Sequence, residues 1–278
     1  MIMDLWQHIP ERINPNLIEI GWFHVRYYGL MYLVAFGITY WLLLYRLKYE
    51  NYEYTKELVQ KYFLYAILGV MAGGRLGYVL FYELPYYLEH PLRIISPFDL
   101  SDGFRFVGLS GMSYHGGVLG VILGSSLFCY KNKVNFWRFA DLLSPAIPLG
   151  YTFGRIGNFL NGELYGRVTS VPWGMYFPLD PTWQLRHPSQ LYEAFFEGVF
   201  LFCVLWNLRK WRPFSGFHFG LYLIGYGTVR FFIEYTREPN EGLGDVLRFF
   251  SMGQILCISM VLVGVLIIAI RKQASPVV

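Results

Sequence analysis

The chain has 278 residues, of which 55% are hydrophobic, 20% aromatic and only 15% charged. An average soluble domain carries about 25% charged residues, so ordinary soluble enzymes are excluded, and a chain that buries most of its surface in lipid is expected instead. The formal net charge is only +4, and no nucleic-acid partner is expected. Cys129, Cys203 and Cys257 sit in apolar stretches with no CxxC spacing, which reads as packing rather than a disulfide framework or a zinc site.

In chain order, the first twenty residues hold Asp4, Glu11, Arg12 and Glu19 with Pro10 and Pro15. They lack the basic start and apolar core of a cleavable signal peptide. An ordered surface segment or interfacial helix is expected there. A spanning helix needs roughly 17–25 mostly apolar residues, and seven stretches qualify: Phe23–Tyr45, Tyr62–Tyr82, Ser113–Tyr130, Phe139–Leu160, Gln190–Leu208, Phe217–Tyr235 and Met252–Ile270. Asp141, Pro145, Pro148 and Arg155 interrupt the fourth.

Lysine sets the orientation. Lys48, Lys56, Lys61, Lys131, Lys133, Lys210 and Lys272 all fall on one side of these spans, which the positive-inside rule makes cytoplasmic. The expectation is an all-α polytopic membrane protein with seven transmembrane helices, N-terminus outside and C-terminus cytoplasmic. Residues 1–278 form one integral membrane domain, with an extracytoplasmic loop at 83–112 and a small extracytoplasmic head at 161–189. The outer loops keep Arg93, Arg105, Arg167, Arg186, Arg237 and Arg248 but no lysine. Guanidinium forks match phosphate oxygens better than ammonium does. A surface that holds lipid phosphates would look like this, and so would structural pairing with Glu163, Asp180, Glu238 and Asp245.

A charge at the bilayer centre costs about 2.5–3.5 kcal/mol on insertion scales, so polar residues in these spans need a reason. Arg75, Tyr78 and Tyr82 share one face of the second span; Arg75 either reaches a ligand or snorkels and pairs structurally. His115, beside Gly116 and Gly117, is a satisfied structural residue or, near arginines, a general base. In GRIGNFLNGELYGR, Arg155 and Asn158 lie three apart, with Asn161, Glu163, Gly166 and Arg167 following. Tyr226, Arg230, Glu234 and Arg237 make one stripe down the sixth span. Such pairing alone is weak evidence for stability. Arginines on three spans therefore point to one cavity for a polyanion that arrives from lipid: a phospholipid head group.

These strings resemble one family. GRIGNFLNGELYGR is similar to the signature of the bacterial prolipoprotein diacylglyceryl transferases, and SYHGGVLG to their His-Gly-Gly segment. YYGLMY (Tyr27–Tyr32), GGRLGYVLFY (Gly73–Tyr82), RHPSQLYE (Arg186–Glu193), IGYGTVRFFIEYTR (Ile224–Arg237) and SMGQIL (Ser251–Leu256) also match, in order along nearly the whole chain. The resemblance implies an enzyme of the bacterial inner membrane with its site towards the outer leaflet. It would move the sn-1,2-diacylglyceryl group of phosphatidylglycerol to the lipobox cysteine thiol of a prolipoprotein signal peptide. It further implies Arg155 as a phosphatidylglycerol contact, Arg230 as the second essential arginine and His115 as base; the thiol chemistry leaves His187, otherwise a candidate substrate-binding residue, as the alternative base. Arg75, Tyr28, Asn158, Asn161, Glu163, Gly166, Tyr226, Glu234 and Arg237 are substrate-binding or supporting residues on this reading. Neither metal nor organic cofactor is needed, because the phosphate already activates the lipid. A lipid transporter or scramblase, or a membrane scaffold, is the rival reading.

Overall fold

The computed structural model describes residues 2–20, 23–96, 98–99, 105–106, 111–238 and 250–274. Asp245 and Arg248, two of the expected outer-loop charges, lie outside the described residues. In chain order the elements are α1 (Ile2–Gln7), β1 (Asn16–Ile20), β2 (Phe23–Arg26), α2 (Tyr27–Tyr49), α3 (Lys56–Phe81) and α4 (Leu84–Glu89). After the short β3 (Phe98–Asp99) and β4 (Arg105–Phe106) come α5 (Tyr114–Asn132), α6 (Phe136–Leu143) and α7 (Ile147–Leu160). The last three are α8 (Ser189–Leu208), α9 (Phe217–Ile233) and α10 (Met252–Ala274).

Four of these helices, α2, α3, α8 and α10, are long and apolar enough to cross a membrane. Such a chain, mostly helical, is a multi-pass membrane protein. Helices α5, α7 and α9 coincide with the remaining expected spans without meeting both criteria. Two boundaries differ from the sequence reading for clear reasons. Phe23–Arg26 pairs antiparallel with Asn16–Ile20, so the first long helix starts at Tyr27 rather than Phe23. The fourth stretch is two helices, broken at 144–146, because Pro145 cannot continue α6, whereas Pro148 fits the first turn of α7.

The chain divides into two compact units, Tyr52–Phe136 and the rest. In the smaller unit, Thr55 caps α3 by accepting from Leu58 N (3.2 Å), and Ser113 caps α5 by accepting from Gly116 N (3.3 Å). Helices α3 and α5 touch backbone to backbone. A Cβ on Gly77 would lie 2.8 Å from Gly116 Cα, and one on Gly120 would overlap the Gly69 carbonyl. The glycines at 69, 73, 77, 116 and 120 thus serve close helix contact.

In the larger unit the N-terminal segment is fastened to residues 161–189. Trp6 Nε1 donates to Trp173 O (2.9 Å), Gln7 Nε2 to Pro172 O (3.0 Å), and Tyr176 N to Gln7 O (2.9 Å). Beneath these bonds Phe159, Met175 and Phe177 form a small buried core, with Ile9, Ile13, Tyr165 and Leu191 against it.

Candidate functional site

Helix α7 carries Tyr151, Arg155 and Asn158 at spacings four and three, on one face. Arg155 Nε donates to Tyr151 Oη (2.7 Å) and lies 2.8 Å from Glu193 Oε2, while Nη1 donates to Asn158 Oδ1 (3.1 Å). Asn158 Nδ2 donates to Glu163 Oε1 (2.9 Å), which Asn161 Nδ2 also approaches at 3.5 Å. Tyr28, from the first turn of α2, lies against Asn158 and Glu163 and shares a 2.9 Å hydrogen bond with Tyr32.

Helix α8 supplies the acidic partners. Residues Glu193–Phe200 are π-helical, a local widening that is common at functional sites. That stretch carries Glu193 and Glu197, both at 0% exposure. Tyr151 Oη lies 2.5 Å from Glu197 Oε2 and 3.1 Å from Glu193 Oε2, so the two carboxylates share its single proton.

Helix α9 and the turn after it bring two more arginines. Arg230 Nη1 is 3.0 Å from Glu193 and 3.5 Å from Glu197, and its Nη2 is 3.2 Å from Glu234. Arg237 Nη1 donates to Glu193 Oε1 (2.8 Å), and its Nε is 3.5 Å from Glu234. Tyr226 stands edge-on to Tyr151, with ring centroids 5.8 Å apart. One buried carboxylate, Glu193, thus holds Arg155, Arg230 and Arg237 together. Three guanidinium groups face the three carboxylates 193, 197 and 234. The charges cancel formally, which lowers the cost of placing them among apolar helices.

The hydrogen bonding does not close. Among the described residues, eight buried side-chain N or O atoms lack a partner of good geometry. Six of them surround this cluster: Asn161 Oδ1, Gln190 Oε1, Glu197 Oε1, Arg230 Nη1, Glu234 Oε2 and Gln254 Nε2. A buried polar group left unmade costs about 1–3 kcal/mol, and a concentration of them in one place marks a site built for something other than stability.

Segment 161–189 is tied to the same place. Gly166 N donates to His187 O (2.8 Å), and Arg167 N to Thr236 O (2.9 Å). A Cβ on Gly166 would overlap the Thr236 carbonyl and lie 2.9 Å from His187 Cβ, so only glycine lets these strands meet. His187 Nδ1 is 3.2 Å from Tyr192 Oη, and partial burial pushes its pKa down. Arg186 pairs with Asp180 (2.7 Å) and Glu238 (2.9 Å). For Arg186 the structural alternative is the one realised, while Arg237 turns inward to Glu193.

Arg75 and His115 belong to the smaller unit. Arg75 is buried and donates to Ile94 O (2.7 Å), Arg93 O (2.6 Å) and Gly111 O (3.3 Å), with Tyr87 under its guanidinium at 5.0 Å. It fastens the segment that follows α4. His115 is exposed in the first turn of α5.

Sequence reasoning brought Arg155, Arg230 and Arg237 forward and missed Tyr151, Glu193 and Glu197. The signal was present. Two glutamates four apart in LYEAFFEGVF carry the same membrane cost as the arginines.

The fold and this site define a helical multi-pass membrane protein with a buried arginine–carboxylate centre fed by at least three helices. A family model described as prolipoprotein diacylglyceryl transferase matches residues 15–270. The chain is 51% identical over 271 residues (97% of this chain, 94% of the relative) to a phosphatidylglycerol–prolipoprotein diacylglyceryl transferase of Chlorobaculum tepidum. It is 46% identical over 265 residues (95% of each) to a protein of that name from Pseudoalteromonas translucida, and 48% over 267 residues (95% and 92%) to one from Aliivibrio fischeri. The chain belongs to the prolipoprotein diacylglyceryl transferase family and is a transferase.

Proposed function

We propose that this transferase moves the sn-1,2-diacylglyceryl group of phosphatidylglycerol onto the lipobox cysteine of prolipoprotein signal peptides. This would be the first step of lipoprotein maturation in a bacterial inner membrane. The observation that carries the reading is the meeting of Arg155 and Arg230, from separate helices, at one buried carboxylate. The names of the relatives supply the two substrates. All seven expected stretches span the bilayer on this reading, with the N-terminus outside and the site in the outer half. Segment 161–189 then forms the extracytoplasmic head that meets the signal peptide.

The chemistry follows from the groups. The cysteine sulfur attacks the glyceryl carbon that carries the phosphodiester. A C–S thioether bond forms, the C–O bond breaks, and glycerol 1-phosphate leaves with the electron pair. A free thiol has pKa ≈ 8.5 and only its thiolate attacks. His115 takes the thiol proton, with His187 as the alternative; the lowered pKa of His187 keeps it neutral and able to accept. Charge then builds on the departing phosphate oxygen, where fixed guanidinium groups stabilise it better than water does. Arg155 suits this role because its Nη2 has no partner among the described residues, while its Nε and Nη1 are anchored. Arg230 supports the phosphate from the other side. Asn158, Asn161 and Glu163, with Tyr28 against them, hold the orientation of Arg155. Glu234, Arg237 and Tyr226 shape the wall formed by α9, and Gly166 keeps the head seated.

The test is the release of glycerol 1-phosphate by purified protein from phosphatidylglycerol and a lipobox peptide. Removal of one electrostatic contact of this kind costs about 100- to 1,000-fold in rate, and that is the loss expected for Arg155→Ala. Its unfolding temperature should move little, because Glu193 retains Arg230 and Arg237. Movement of intact phospholipid between leaflets with no glycerol 1-phosphate would instead support a transporter.

A further inference from the structure

Gln254 opens helix α10 and lies at the edge of the arginine cluster, where nothing described so far uses its amide. It is 3% exposed. Its Oε1 accepts from Ser251 N (3.0 Å), while Ser251 Oγ accepts from Gln254 N (3.2 Å), a reciprocal cap of the S-x-x-Q type. Because the oxygen answers a backbone N–H, the amide can face only one way. Its Nε2, with two N–H donors, is buried and has no partner among the described residues.

The same turn touches the arginine centre. Ser251 Oγ reaches Glu234 Oε1 at 3.5 Å. Gly253, with no side chain, leaves the space in which the Glu234 carboxylate lies; a Cβ there would collide with it. Glu234 Oε2, ion-paired with Arg230 and Arg237, likewise makes no hydrogen bond of good geometry. Gln254 Nε2 is therefore a buried donor without a partner among the described residues, linked through Ser251 to the Glu234 carboxylate. A phosphate oxygen would be repelled by the carboxylate. A hydroxyl accepts from the amide and still has a proton to give to the carboxylate.

We propose that Gln254 Nε2 donates to a hydroxyl of the lipid head group, so that Gln254 and Glu234 together recognise a polyol head. The inference rests on the proposed function and deepens it, since it assigns head-group specificity to the first turn of α10. An ammonium head offers no acceptor to the amide, and a plain alkyl head offers neither partner. Sites built to hydrogen-bond a substrate hydroxyl discriminate strongly against analogues that lack it.

The experiment compares phosphatidylglycerol with phosphatidylpropanol, which lacks the two head-group hydroxyls, for wild type, Gln254→Glu and Gln254→Met. Gln254→Glu keeps the side-chain volume and the capping acceptor but loses the donor, so it separates recognition from helix capping. Wild type should favour phosphatidylglycerol in kcat/KM by about tenfold or more, roughly the worth of one good hydrogen bond. In both variants that preference should shrink several-fold, chiefly through KM. Equal losses on both lipids, or no loss, would overturn the proposal. Thermal stabilisation of detergent-solubilised protein by each lipid gives an activity-independent reading. A wild type that is stabilised selectively by phosphatidylglycerol but transfers nothing would fail the proposed function while leaving this inference standing. A wild type stabilised equally by both lipids would sink the inference alone.

Discussion

Helices α8 and α9 carry an arginine cluster at each end, and the two are built differently. At the Leu208 end, Arg46 is 0% exposed and Glu50 5%. Arg46 donates to Glu50 Oε2 (2.9 Å), Asp141 O (2.9 Å) and Leu142 O (2.6 Å). Arg209 reaches Glu50 Oε1 at 3.0 Å, and Arg212 donates to Glu50 O at 2.9 Å. Asp141, an expected interruption of the fourth span, accepts from Gly216 N (2.7 Å) and Phe219 N (3.0 Å) and so caps α9. None of the side-chain atoms of Arg46, Glu50, Asp141, Arg209 or Arg212 is a buried orphan; among the described residues, the one buried atom beside them that lacks a partner is His218 Nδ1. At the Glu193 end, Glu197 Oε1, Arg230 Nη1 and Glu234 Oε2 are ion-paired but make no hydrogen bond of good geometry. Three arginines at each end do not make equal sites. A closed network holds the fold, and an open one keeps capacity for a ligand.

The largest effect should come from opening the closed network. Arg46→Ala strips Glu50 of its most buried partner and frees two backbone carbonyls. Breaking a buried pair by removing one partner costs about 3–5 kcal/mol. A large fall in the unfolding temperature in detergent is expected, with near-normal turnover for each molecule that remains folded. A variant of normal stability but lost activity would erase the contrast between the two ends.

At the open end the pattern should reverse. Glu193→Gln keeps the volume of the side chain but removes the charge that gathers Arg155, Arg230 and Arg237. These groups need placement more than they need each other, and a misplacement of about 1 Å costs about 100-fold in rate. Transfer should therefore fall by about that factor, with a smaller loss of stability than in Arg46→Ala. If Glu193→Gln unfolds the protein while sparing the rate, the cluster is a clasp like its counterpart.

The contrast also explains what could be read without coordinates. Long apolar stretches gave the helices, because burial in lipid constrains every residue of a span. Arg155, Arg230 and Arg237 stood out as charges where charge is costly. Glu193 and Glu197 obeyed the same rule but were overlooked, since an anion-binding site directs attention to cations alone. The π-helical turn that places them leaves no mark in composition. The closing of Arg75 on three carbonyls, and of Asp141 on the start of α9, depends on loop paths that periodicity cannot supply. The break at 144–146 was legible from Pro145 and Pro148, though not its consequence that Asp141 would face another helix.

The smallest effect tests an ion pair within segment 161–189. Asp180 accepts from Arg186 Nε (2.7 Å) and Nη2 (3.0 Å), from Thr182 N (3.0 Å) and Oγ1 (2.7 Å), and from Gln184 N (3.2 Å). Burial alone would raise its pKa, but the Arg186 hydrogen bonds and those from Thr182 and Gln184 outweigh that and hold it well below the usual carboxylate range. A depressed carboxylate stabilises the fold fully above its unfolded value of about 3.9, and the stabilisation drains away as pH falls towards the folded value. Asp180→Asn should thus cost about 1.5–3 kcal/mol at pH 7, the worth of hydrogen bonds to a charged group. The gap between wild type and variant should narrow steadily below about pH 4. Unfolding temperatures for both proteins at pH 7 and pH 3 decide it: a gap of the same size at both values would mean that the Asp180 charge contributes nothing, and that segment 161–189 is held by its small apolar core alone.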